Sequence, residues 1–596
     1  MTLPSWNLKD LYASIDDKQI DKDIILALSE SSNFQEKYQN NLAKLSPEEL
    51  FKALQKYEDL NELSNKPLIF AYLMHSADSS KPAHGALISR LEEKMSEIHE
   101  KTTFFNLEWN NLEDNIANKF IESPILEKYK HYLKSSRKLK PHQLTEKEEV
   151  LWQKVDLTAG SAWTRLFDEI FAKSKFKVNL PEPKELSEEE VLALLYSGDR
   201  EIRKDAANAL TEGLKSNSSI LTYIFNTLTQ EHYIEDKIRK FEKPISSRNL
   251  SNEISDQAVE ALMQVTEEKI ELVHRFYKLK AKLLNLTELN DYDRYAPLPN
   301  QKQKKWEWDE ACQFVLKSYE SFSPDFAKIV KEFIDKNWID ADLREGKRGG
   351  AFSASTIPSV HPYILVNFTG NSRDLSTLAH ELGHGIHQYL SRQVGYLESD
   401  TPLTTAETAS VFGEMLTFDR LVSQAENPTE KLSLLITKLD EIIATVYRQV
   451  FMTRFEQKLH ETRRKDGEFT TETINELWLK TSKQMFGDSV NLTDNYGYWW
   501  LYISHFIHSP FYCYAYAFGL LLSITLYTQS KTAGPEFKEQ YTKILSFGGS
   551  LEPNELLKIA NIDLNDNNFW RNGFVLIENM LDEAEKLAQE INLNQM

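Results

Sequence analysis

The sequence is poor in glycine: 20 of its 596 residues, about half the ordinary usage of roughly 7%. Few glycines leave few tight turns, which excludes an all-β chain of many short hairpins and predicts long elements in a mostly α fold. Cysteine is scarcer still, with only Cys312 and Cys513, far apart in the chain. Two such thiols exclude a disulfide framework and a four-thiolate zinc site, and they suit a reducing compartment. Long apolar runs are missing as well. The longest, Phe518 to Tyr527, is interrupted by Gly519, Ser523 and Thr525 and is too short to span a bilayer. Positive charge is in deficit: 70 Lys and Arg against 90 Asp and Glu give a formal charge of −20. An acidic surface repels phosphate backbones and argues against nucleic acid as a partner. The cluster Arg463, Arg464, Lys465 is short and is followed at once by Asp466. The opening residues carry neither a basic leader nor an apolar core, so a cytoplasmic protein with no membrane partner is expected.

What the sequence does have is helical periodicity. Between Leu87 and Thr102, Leu87, Leu91, Met95 and Ile98 form one stripe while Glu92, Glu93, Glu97 and Glu100 face away. A chain this long exceeds one core, so two or more structural units are expected. Pro181, Pro183 and the run Glu188 to Glu190 suggest a boundary near 185, dividing an N-terminal helical region (1–185) from a catalytic region (186–596). Asp291 to Pro299 reads as an extended crossing. The glycine-rich turn Gly346 to Ser353 and the run Pro362 to Phe368 predict two or more short strands.

Those strands directly precede His380-Glu-Leu-Gly-His384. On a helix, residues four apart lie one turn apart, so both imidazoles project from one face with room for one ion between them. Neutral imidazole suits zinc, and Glu381 lies close enough to handle a water activated there. Leu375, Leu378, Ala379, Leu382, Ile386, Tyr389 and Leu390 form an apolar stripe opposite His380, His384 and His387. Asn371 or Ser372 can cap the helix start and Gly395 can end it. Gly383 and Gly385 each cost about 1 kcal/mol relative to Ala inside a helix, which predicts close approach of another backbone. A catalytic zinc takes three protein ligands and leaves a fourth position open. Glu407 is the candidate third ligand, although Thr404 and Glu407 also match a capping box, and spacing alone leaves both readings open.

The stretch His380-Glu-Leu-Gly-His384-Gly-Ile-His387-Gln388, followed by Ala406-Glu407-Thr-Ala-Ser-Val-Phe-Gly-Glu414, resembles the thimet oligopeptidase superfamily of zinc metallopeptidases, and within it the oligoendopeptidase F group. Trp6 to Tyr12, Tyr295 to Leu298 and Gly349 to Ser353 extend the likeness across nearly the whole chain. The resemblance implies one zinc per chain held by His380, His384 and Glu407. It also implies a helical ellipsoid with a deep central channel and a small sheet beside the active-site helix. A His-and-Tyr segment over the metal maps by resemblance onto Ser504 to Tyr516. His505 is its first histidine candidate and His508 the second, and Tyr512, Tyr514 and Tyr516 compete for the tyrosine roles.

The expected chemistry is hydrolysis of internal bonds in short peptides, with zinc polarising the carbonyl, Glu381 as general base, and His505 with a tyrosine stabilising the oxyanion. The strand at Tyr363 to Phe368 either pairs with an extended substrate or braces the helix. His387 is read as structural or ligand-orienting, and Asp374 and Glu414 as carboxylates that orient an imidazole or simply face solvent. A zinc exopeptidase and a non-catalytic peptide-binding protein are the competing readings. Oligomeric state has no signature in the sequence.

Overall fold

The computed structural model of the chain describes residues 3–180, 182–299 and 304–595, with the side chains of 146, 150, 153 and 592–595 excepted. Pro181 therefore lies outside the described residues. The elements that matter below are, in chain order, α1 (Pro82–Thr102), α2 (Glu146–Asp156), α3 (Gly160–Lys173), β1 (Phe176–Val178), β2 (Lys184–Leu186), α4 (Arg200–Arg239), α5 (Trp308–Phe322), α6 (Pro324–Asp335), β3 (Ile339–Asp340), β4 (Phe352–Ala354), β5 (Tyr363–Leu365), α7 (Ser372–Ser391), α8 (Leu403–Ala406), α9 (Thr408–Ser423), α10 (Arg448–Asp466), α11 (His505–His508) and α12 (Tyr514–Thr532). The fold is mostly α, as the low glycine content predicts. Helix α1 shows why: Pro82 starts it, and Leu87, Leu91, Met95 and Ile98 are its buried stripe. No helix among the described residues is long and apolar enough to cross a membrane.

The chain forms two compact units, each assembled from three separate segments. Unit 1 comprises Met1–Lys140, Gln303–Leu421 and Leu526–Asp563. Its only sheet among the described residues has the order β3-β5-β4, with β3 parallel and β4 antiparallel to β5. Tyr363, Ile364 and Leu365 of the central strand are wholly buried, whereas β4 is an edge. Helix α7 packs on β4 and β5.

Unit 2 comprises Pro141–Lys302, Val422–Thr525 and Leu564–Met596. The division expected at residue 185 falls inside its first segment, within β2, which pairs antiparallel with β1. Pro183 lies between these two strands. The segment expected to be extended from Asp291 begins instead as a 3-10 turn capped by Asn290. Its Asp293 is buried and pairs with Arg200 and Arg203, each at 2.8 Å. Between Tyr496 and Phe518 the sequence carries many aromatic residues, and most are core: Tyr496, Trp499, Trp500 and Phe506 belong to one buried cluster. The two indole N–H groups of that run donate to Thr211 and Asn475 at 3.0 and 2.7 Å, which removes the penalty of burying them.

Candidate metal centre

The centre is built on α7. Asn371 caps its start: Asn371 Oδ1 accepts from the Asp374 N–H, while Asp374 Oδ2 accepts from the backbone of Thr369 and Asn371. Asp374 thus closes a capping box and is not an imidazole partner. Leu375, Leu378, Ala379, Leu382 and Ile386 are buried beneath the helix, which leaves His380 and His384 half-buried on the other side. Gly383 explains itself, because a Cβ there would stand 2.4 Å from the Ala409 carbonyl oxygen and 2.5 Å from the Ser410 Cα. The backbones of α7 and α9 touch at this residue, as the glycine predicted. At Gly385 the neighbour is a side chain, Phe333 of α6, at 2.8 Å.

Pro402 occupies the N-cap of α8, and Glu407 occupies its C-cap position, directly before α9. Its carboxylate reaches across to α7, with Oε2 3.4 Å from His380 Nε2 and 3.6 Å from His384 Nε2; the two imidazole nitrogens are 3.1 Å apart. An ion with tetrahedral bonds of about 2.0–2.2 Å separates neighbouring donors by about 3.3–3.6 Å. Both carboxylate–imidazole separations fall in that range and the two nitrogens stand slightly closer, so the three donors can share one ion. Two nitrogens and one oxygen suit a borderline ion such as zinc.

The remaining polar atoms of these side chains are engaged so that the triangle keeps its shape. His380 Nδ1 donates to Glu414 Oε1 at 2.5 Å, which leaves Nε2 as the lone-pair donor. His384 makes a backbone hydrogen bond with Ala406, and Ser410 Oγ donates to Glu407 Oε2 at 2.6 Å. Burial disfavours the imidazolium of His380, but Glu414 and Glu407 outweigh it and hold the ring up at about 9. His384 moves the other way, to about 4, through burial and the charge on His380. Glu381 is 6% exposed and its Oε2 has no hydrogen-bond partner. Burial first, then Glu407 and Glu414, pushes its carboxyl up to about 7, against the pull of His380.

A cavity of about 540 Å³ opens over this group and is also lined by Ser353, His387 and Asp400. His387 does not join the triangle. It is 5% exposed, its Nε2 lacks a partner, and burial pushes it down to about 3, so the ring is neutral. Gln388 carries a role that sequence reasoning missed. Ser353 Oγ donates to Gln388 Oε1 at 2.7 Å, and Gln388 Nε2 donates to the Ser353 carbonyl at 3.2 Å. Ile364 and Val366 direct their N–H groups at β3, so Tyr363 and Leu365 face β4 and their partners Ala354 and Phe352 face back. Ser353 is then the residue of β4 whose backbone points outward, and Gln388 fastens it to α7. The available signal was spacing: Gln388 lies one turn beyond His384 on the same face.

His505, Tyr512, Tyr514 and Tyr516 belong to unit 2. His505 Nε2 lies 3.1 Å from the Tyr516 hydroxyl, and its ring stacks on Tyr512 with centroids 5.8 Å apart. Tyr514 points elsewhere: it is wholly buried, and its hydroxyl accepts from Asn252 Nδ2 at 2.8 Å. His508 is taken up by Asp168 at 2.9 Å. The structure therefore groups His505 with Tyr512 and Tyr516, and it separates Tyr514 and His508 from them.

Comparison with known proteins gives concordant results. Residues 193–576 match the profile of peptidase family M3, and residues 108–176 match that of oligopeptidase F. Oligopeptidase PepF of Bacillus subtilis is 27% identical over 599 residues, covering 98% of this chain and 88% of its own. An oligoendopeptidase F homolog of Lactococcus lactis is 26% identical, covering 98% and 97%. Among solved structures, one from Chlamydophila abortus superposes with a TM-score of 0.87 at 23% identity, covering 98% of this chain and 100% of that one. Oligoendopeptidase-F from Enterococcus faecium gives 0.70 at 22% identity, covering 96% and 99%.

Proposed function

Because the chain belongs to peptidase family M3 and is a metalloendopeptidase, we propose that it is a cytoplasmic, zinc-dependent oligoendopeptidase acting at the His380, His384 and Glu407 centre. The observation that carries this reading is the donor triangle with Glu381 beside it on the same rigid helix. When bound, a zinc ion supplies Lewis acidity, polarising a carbonyl and acidifying water. The protein's own groups supply the rest.

Glu414 fixes the His380 tautomer, and Glu407 closes the donor set. Glu381 accepts the proton of the attacking water and returns it to the departing amine. A carboxyl near neutrality is matched to both tasks, because it is neither too weak to take the proton nor too strong a base to release it. The burial that raises Glu381 also limits competing water. By the resemblance, His505 and one of Tyr512 or Tyr516 donate hydrogen bonds to the tetrahedral oxyanion. The edge strand β4 supports an extended substrate through Ser353, whose carbonyl retains a second lone pair beside the Gln388 bond. Main-chain pairing of this kind reads sequence weakly, so broad specificity is expected.

A fluorogenic peptide blocked at both ends tests the proposal. Cleavage that stops on chelation and returns with zinc is expected, with Glu381→Gln retaining stoichiometric metal but losing about 10²–10⁴ in kcat. Failure to cut the doubly blocked peptide would indicate an exopeptidase. Near-normal turnover by the Glu381→Gln protein would remove Glu381 from the base role.

A further inference from the structure

Unit 2 carries an open cavity of about 450 Å³, with Tyr223 half-exposed on its wall, that the mechanism above does not use. Its walls are aromatic: Trp152 on α2, Trp163 on α3 and Tyr223 on α4. Trp163 and Tyr223 meet edge to face with ring centroids 5.4 Å apart. Charges of both signs line the same space, namely Asp156, Glu231 and Glu468 against Arg463.

The carboxylates are aimed. At the first residue of α3 the Gly160 N–H donates to Glu231 Oε1 at 2.9 Å, and Ser161 Oγ donates to Asp156 Oδ2 at 2.5 Å. The second oxygens of both groups converge over Gly160, where a Cβ would lie 2.6 Å from Glu231 Oε2 and 3.0 Å from Asp156 Oδ1. Two like charges pointing at one spot repel. The Glu231 carboxyl is accordingly raised above its ordinary range, by burial first, with Asp156 and Glu235 adding to it. Among the described residues neither carboxylate has a basic side chain in ion-pair contact, and Arg463 has no acidic one. The Arg463 Nε is buried without a hydrogen-bond partner. Opposite charges therefore share one aromatic cavity without neutralising each other.

We propose that this cavity is a binding site for a zwitterion with an apolar, preferably aromatic, body: a free amino acid or a short peptide. Its ammonium group would sit where Asp156 and Glu231 converge, its carboxylate against Arg463, and its side chain among Trp152, Trp163 and Tyr223. An ammonium beside aromatic faces gains cation–π attraction, and guanidinium is the usual partner of a carboxylate. A simple amine would leave Arg463 unmatched, and a simple acid would leave the two carboxylates unmatched. The volume falls within the range of small-molecule sites, about 300–1,000 Å³. Peptide hydrolysis yields ligands of this class. That source rests on the proposed function; the binding itself does not.

Isothermal titration of the full-length, metal-loaded protein tests the site, using L-phenylalanine and L-alanyl-L-phenylalanine as probes and mass spectrometry to confirm that the dipeptide stays intact. N-acetyl-L-phenylalanine and L-phenylalanine amide are the single-charge controls. At least one zwitterion should bind with Kd between roughly 10 μM and 1 mM, and both controls about tenfold or more weaker. Which probe binds tighter distinguishes an amino-acid from a peptide ligand. Glu231→Gln and Arg463→Gln should each weaken binding about tenfold or more, with cleavage of the blocked peptide within about twofold of wild type. Gly160→Ala, which places a methyl at the convergence point and removes no charge, is the second variant should Glu231→Gln fold poorly. The proposal is overturned by absence of saturable heat with both zwitterions, by equal binding of the controls, or by wild-type affinity in these variants.

Discussion

At the scale of single residues, the centre depends on atoms that never touch an ion. His380 presents Nε2 because Nδ1 is committed to Glu414, so the carboxylate determines which nitrogen is available. Glu414→Ala should lower zinc affinity about 10–100-fold, read by competition with a coloured chelator, while the melting temperature of the zinc-saturated protein changes little. Unchanged affinity would show that His380 holds its tautomer without Glu414. Of the site's parts, the two histidines and Glu381 were legible in five consecutive letters, because helix geometry alone puts His380 and His384 on one face. Glu407 was not, since its spacing fits a capping box equally well. In the folded chain Glu407 stands between α8 and α9 with its carboxylate close to both imidazoles.

At the scale of elements, the geometry is a matter of how closely α7 approaches its neighbours. Gly383 lets the α9 backbone come within contact distance, and this brings Glu407 into reach of the imidazoles. Gly383→Ala should therefore push α9 away, at a cost of about 1–3 kcal/mol or more for overpacking against backbone. A lower melting temperature and a substoichiometric zinc content in the same sample are the expected signs. A stable variant with full metal would mean that the helices separate without moving Glu407. On the opposite flank, Gln388 fastens β4 to α7 through both ends of its amide. Gln388→Ala should raise KM for peptides several-fold, more than it lowers kcat, with zinc content unchanged, as measured by steady-state kinetics on one defined peptide. A pure loss of kcat would place Gln388 with the reacting groups instead. The strand β5 was foreseen from β-branched residues between Pro362 and Gly370, whereas β3 was not. Strand order was not foreseen either, because the pairing of β3 with β5 joins segments with no local signal of partnership.

At the scale of the whole molecule, one buried carboxyl far along the chain sets a pH dependence of stability. Glu456 on α10 is 1% exposed; its Oε1 accepts from the Phe511 N–H at 2.9 Å and its Oε2 has no partner. Burial pushes it up to about 8. The folded protein thus keeps a proton that the unfolded chain, with an ordinary value of about 4.3, has already lost. The stability this group contributes is complete below about pH 4.3 and disappears as pH rises towards 8. Glu456→Gln fixes the neutral form. It should melt within about a degree of wild type at pH 5 and a few degrees higher at pH 8.5, as calorimetry at the two pH values would show. Equal melting temperatures at pH 8.5 would mean that the carboxylate finds solvent or a cation when ionised.

By itself the sequence determined the helical class, the course of α7, its buried stripe and the pair of imidazoles, and it narrowed the cap to Asn371 or Ser372. All of these follow from periodicity and spacing within one element, which are properties of neighbours along the chain. Tertiary structure decided the rest. It placed the Glu407 carboxylate beside both imidazoles, withdrew Asp374 to the helix end, gave Glu414 to His380, and grouped Tyr512 and Tyr516 with His505 while burying Tyr514. Each of those outcomes depends on where side chains distant in sequence come to lie, and on which of their lone pairs are already engaged. Local pattern cannot encode that, because the same residue types satisfy the same spacing whether they cap, coordinate or simply fill the core.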